Sequence, residues 1–201
     1  YKLRHVFDVS DTNSRAGKEV SIWKMEQRFV EPVKNMLAER YEVDAQESLE
    51  DCLLNVAVTF VNDNYQDYLA ELMEAKAGSL LEKLDEDNTR LQMLTALSYS
   101  VGYMLHIRCG LPVRAYFGNS LDKVCNFNTP EVISILGAAV SDMSEVLLRE
   151  IAVLVQDLQR EERNQNRTFE VPVDSRYDVN RTATTEGSDE YGSDLPQGGR
   201  V

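Results

Sequence analysis

The chain has 201 residues with 34 acidic and 21 basic side chains, and residues 41–90 alone carry a net charge of −10 from 13 acidic and 3 basic groups. Such a surface repels a phosphate backbone and excludes extensive electrostatic DNA binding by this chain alone at physiological salt. A hydrophobic share of 43 % is enough for one core, and no apolar run approaches the roughly 18 residues of a membrane span.

Lys2 to Val9 reads as a strand that runs into the turn formers of residues 10–17, and Lys18 to Trp23 reads as a short second strand. A lone strand leaves backbone donors and acceptors without a neighbour. Residues 1–28 are therefore expected to be the strand-and-turn remnant of an upstream domain, with Tyr1 not the true start. This segment also holds the one candidate for DNA contact. Lys18, Trp23, Lys24 and Arg28 combine a stacking ring with positive charge. The competing expectation is that Trp23 packs beneath the first helix, as tryptophans are largely buried on average.

A helical domain is expected over residues 29–163. Glu31-Pro32 predicts a helix start, since Pro in a first turn loses no hydrogen bond, and Phe29, Val33, Met36, Leu37 and Tyr41 follow on one side. Ser48 with Asp51 forms a capping-box-like start for the stripe Leu49, Cys52, Leu53, Val56, Phe60, Tyr68, Leu69, Leu72 and Met73. Asn62-Asp63-Asn64 is a candidate interruption and Gly78 a stop. Asp85-Glu86-Asp87-Asn88 sits where a helix dipole favours acids, ahead of Leu91, Leu94, Leu97, Val101 and Leu105. Gly110 and Pro112 end that helix, and residues 113–127 read as a looser connection. Thr129-Pro130-Glu131 gives an N-cap, a Pro at the first position and an acid in the first turn. A helix is expected from there to about residue 160. The apolar pattern stops at Arg160. Residues 164–201 are expected to be a disordered tail, because so few apolar groups do not offset the ordering entropy.

The fold expected is thus mainly α, with helices near 49–73, 90–109 and 130–160 packed together. Leu94, Val101, Leu105, Ile133, Leu136, Val140 and Leu147 are expected to be buried.

Chemistry-bearing residues are sparse. The two histidines, His5 and His106, do not supply the pair one turn apart that a zinc-peptidase helix needs. His106, Cys109 and Cys125 make a partial metal set without a fourth ligand. The three cysteines are irregularly spaced among apolar neighbours, which suits reduced, buried thiols of a cytosolic protein. Asp85, Glu86 and Asp87 lack the glycine-centred loop and closing Glu of a calcium site. There is no glycine-rich phosphate loop and no nucleophile elbow. No catalytic residue, metal or cofactor is assigned.

Three stretches carry a resemblance. His5-Val-Phe-Asp-Val-Ser-Asp-Thr-Asn, Ser100-Val-Gly-Tyr-Met-Leu-His-Ile-Arg-Cys-Gly-Leu, and Phe127-Asn-Thr-Pro-Glu with Leu136-Gly-Ala-Ala-Val together resemble the ArdC/LtrC-type antirestriction proteins of conjugative elements, over roughly residues 3–160. The resemblance implies a single-stranded DNA-binding region upstream of a zincin-like domain, in a bacterial cytoplasmic protein. It also places the family's HExxH helix where this chain has Phe60 to Met73. That stretch contains no His, so Glu71 is not carried over as a general base. The expectation is a non-catalytic, degenerate zincin-like module of a mobile-element DNA-processing or antirestriction-type protein, possessing no membrane partner. It would scaffold or support upstream domains of the same protein and meet DNA through them. Two alternatives stand: a zincin-like metallopeptidase whose ligands lie outside residues 1–201 or are non-standard, and a helical protein-interaction domain unrelated to DNA.

Overall fold

The computed structural model describes residues 23–112 and 115–169, which are mainly helical, with no strand among them. The strand expected at 2–9 and all of the second but Trp23, which is not in a strand, lie outside the described residues; of the tail expected over 164–201, residues 164–169 are instead helical and the rest lies outside them.

Helix α1 spans Gln27–Tyr41 and encloses Pro32 rather than starting at it. A Pro at this depth forgoes one hydrogen bond. Burial of Phe29, Val33 and Leu37 on one face offsets that loss, each such side chain contributing about 1.5–3 kcal/mol. The helix ends at Glu42, which takes a left-handed conformation at φ 54°.

α2 (Leu49–Asn64) begins where the capping pattern places it, with the Ser48 hydroxyl accepting from the Asp51 N–H at 3.1 Å. The interruption falls at Tyr65, just after Asn64, and α3 (Gln66–Ala75) continues. Gly78 lies in the turn beyond α3 at φ +78°.

α4 (Glu86–Arg108) is capped by Asp85, whose carboxylate accepts from the Asn88 N–H at 2.8 Å. The acid run is thereby accounted for as a helix start. At the other end Gly110, at φ +70°, allows the Gly110 N–H to reach Ile107 O at 3.1 Å and the Leu111 N–H to reach His106 O at 2.9 Å. This paired closure is a Schellman motif, and only glycine adopts its turn without strain.

The connection expected over 113–127 instead contains α5 (Ala115–Leu121) and a 3₁₀ turn, Asp122–Asn126. Phe117 and Phe127 are buried and hold this segment against the bundle, which periodicity over so short a stretch does not reveal.

α6 (Pro130–Phe169) opens at Pro130 as expected but continues well past Arg160. Its distal part has Arg, Glu and Gln, all good helix formers, and is tied to α1 by Arg28 Nη1 to Glu162 Oε2 at 2.6 Å. The buried stripe of α6 is Val132, Leu136, Ala139, Met143, Leu147, Ile151 and Val155. Ile133, expected in the core, is 41 % exposed because Val132 takes the inward position of the first turn. Leu94 and Val140 are partly buried against the core, while Val101, Leu105, Leu136 and Leu147 lie within it.

α4 is the central helix, packed along both α2 and α6 with α3 and α5 at its sides, while α1 leans on α2 and α6. Cross-links are polar at the rim: Tyr41 Oη donates to Glu150 at 2.8 Å, and Tyr68 Oη to Asp142 at 2.8 Å. Among the described residues no helix is long and apolar enough to cross a membrane.

Candidate functional site

Two places in the fold gather chemistry-bearing side chains. The first is the cleft at Trp23. The residues leading into α1 bring the indole against the distal half of α6, where Gln156, Gln159, Arg160 and Arg163 recur at three- and four-residue steps and so share one face. These four side chains and Trp23 line a cleft of about 240 Å³. The ring is partly buried and packs on the core. The Arg108 guanidinium lies 3.9 Å from its centroid, and Arg108 Nη1 donates to the Trp23 carbonyl at 2.9 Å. A cation held over an indole face is attracted by the ring's quadrupole.

Of the four residues expected to touch DNA, the structure describes Trp23, Lys24 and Arg28. Trp23 lines the cleft and is partly buried against the core. Lys24 is exposed beside it. Arg28 lies 3.1 Å from Glu26 and 2.6 Å from Glu162, with its charge answered by both. Lys18 lies outside the described residues. Arg108, Gln156, Gln159, Arg160 and Arg163 were not legible as partners of Trp23. They are distant in sequence, and only the helix packing unites them.

The second place is the aromatic cluster around His106. Its ring is fully buried, 4.8 Å from that of Phe117 at an edge-on 77°, and Phe117 also meets Tyr103 and Tyr99 edge-on. Nδ1 lies 2.7 Å from Gly102 O. A carbonyl only accepts, so this contact assigns the ring proton to Nδ1. Cys109 is buried one turn along and Cys125 is exposed on the 3₁₀ turn, contrary to the expectation that all three thiols are buried. Burial pushes the Cys109 thiol up to about 12 and, with a smaller contribution from Glu47, the Cys52 thiol up to about 11. Neither is a ready thiolate for metal or nucleophilic chemistry. Among the described residues no group of three or more His, Cys, Asp or Glu side chains is placed to hold a metal ion.

The stretch from Phe60 to Met73 crosses the α2–α3 break. Tyr68 reaches across to Asp142 of α6, and Glu71 points outward, exposed. Searches against protein-family models, curated proteins and solved structures found no match to this chain.

Proposed function

We propose that the chain is a non-catalytic, zincin-derived helical module of a DNA-processing or antirestriction-type protein of a mobile element, supporting a DNA-binding region upstream in the same bacterial cytoplasmic protein. The observation that carries the non-catalytic part is the position of His106. Its imidazole is fully buried, with its ring against Phe117. A metal-activating imidazole must instead face a site that keeps an open position for water. The assignment to a mobile-element protein rests on the three sequence motifs.

The test compares this chain with the same chain extended by its upstream coding sequence, each titrated into a labelled single-stranded oligonucleotide. The extended form is expected to bind tightly and to weaken steeply with salt, and residues 1–201 alone to bind weakly. Equal affinity of the two forms, or an upstream sequence lacking an aromatic and Lys/Arg-rich region, contradicts the proposal.

A further inference from the structure

In a chain of net charge −13, the described lining of the Trp23 cleft contains no carboxylate. It consists of one indole, the amides of Gln156 and Gln159, and the guanidinium groups of Arg160 and Arg163. Three other clefts differ on this point. One is lined by Glu86 and Asp87, one by Glu150 and Asp157, and one by Asp67 and Asp142. The cations of the Trp23 cleft are also unequal. Arg160 lies 3.1 Å from Asp157, whereas Arg163 has no ion-pair partner among the described residues. Arg108 holds the indole from the α4 side, fixing the ring before any ligand arrives.

We propose that this cleft binds a single phosphorylated nucleoside unit, with the base against Trp23, its edge hydrogen-bonded by Gln156 and Gln159, and the phosphate taken by Arg163 with Arg160. Each lining group matches one part of that ligand. An indole offers a stacking surface to any base. A carboxamide both donates and accepts, as a base edge requires. A guanidinium presents paired donors to phosphate oxygens. A volume of about 240 Å³ suits one such unit, free or as one position of a strand, and two arginines supply few phosphate contacts. The affinity is therefore modest, with Kd on the order of 1 mM, in line with the weak DNA binding expected of this acidic chain. The inference rests on the cleft and is independent of the module reading above.

Trp23 is the chain's single tryptophan, so its fluorescence reports the cleft directly. The full chain is titrated with a mononucleotide, the matching nucleoside, inorganic phosphate and a short oligothymidylate, each corrected for absorption against a free tryptophan derivative. Saturable quenching by the mononucleotide is expected, at least several-fold tighter than by the nucleoside or phosphate. It should weaken about tenfold in Arg163→Gln, the loss of one charge-assisted contact, while circular dichroism stays unchanged. Tighter binding of the oligothymidylate identifies a nucleic-acid strand as the source of the unit, and equal binding identifies a free nucleotide. Quenching that is absent, indifferent to Arg163, or matched by inorganic phosphate alone overturns the proposal. Backbone amide shifts at residues 156–163 on adding mononucleotide give a second readout, and their absence counts against it equally.

Discussion

Arg108 and Trp23 are joined twice, by the guanidinium 3.9 Å from the ring centroid and by a 2.9 Å hydrogen bond from Nη1 to the Trp23 carbonyl. The final turn of α4 thus fixes the segment that leads into α1, which in turn leans on α6. Arg108→Ala removes both contacts and is expected to lower stability by about 1–2 kcal/mol. Arg108→Lys keeps the charge but loses the planar fork and should fall between. Urea unfolding followed by Trp23 emission measures both, and an Arg108→Ala midpoint equal to the parent contradicts the coupling.

Glu42 is the non-glycine residue with a positive φ among the described residues, at 54°. The left-handed conformation costs an ordinary residue about 1 kcal/mol, and glycine relieves it at a helix C-terminus. Glu42→Gly is expected to raise stability by about 0.5–1 kcal/mol. A fall in thermal midpoint would show that the Glu42 side chain has a role beyond its backbone.

Gly102 lies where α4 crosses α2. A Cβ there would meet Leu54 Cδ1 at 2.9 Å, Phe117 Cε1 at 3.6 Å and Ala57 Cβ at 3.8 Å. The closest atom is the tip of a partly buried leucine, which can swing aside. Gly102→Ala is therefore expected to stay within about 1 kcal/mol of the parent, the gain in helix propensity opposing the contact. Gly102→Leu has no such escape between Leu54, Ala57 and Phe117 and should cost about 3 kcal/mol or prevent folding. Equal stability of the two variants would contradict this packing.

Much of this fold was legible because its helices announce their ends. The Ser48 and Asp85 caps, the Gly110 stop and the Thr129-Pro130 start lie where side-chain chemistry dictates. The first turn of α6 is ambiguous in sequence because Val132 and Ile133 are adjacent and equally apolar, so periodicity alone does not choose between them. The 3₁₀ turn and α5 are too short to show a period, and the run of α6 beyond Arg160 depends on propensity and on Glu162 meeting Arg28. Of the candidate site, only Trp23 and its neighbours were visible. Gln156, Gln159, Arg160 and Arg163 join it through packing that no local pattern encodes.

The thiols offer a test with a definite sign. Burial raises Cys109 from 9.0 to about 12 and Cys52 from 9.0 to about 11. Both must stay protonated in the folded state after their unfolded counterparts have ionised. Their contribution is fully present below pH about 9 and is lost as pH rises through the folded values, so stability should fall between about pH 9 and 12. A thiol reagent at neutral pH should modify Cys125 rapidly and the other two only at the rate of opening. Rapid reaction of all three, or stability that rises over that pH range, would contradict the burial.

The central claim is that His106 and Cys109 serve the core and not a metal. Elemental analysis of the purified chain, after dialysis against zinc and then buffer, tests it most directly. The account predicts far less than one zinc per chain, and an unfolding midpoint that chelator leaves unchanged. One tightly held zinc per chain, lost on His106→Ala or Cys109→Ser in variants that remain folded, would contradict it.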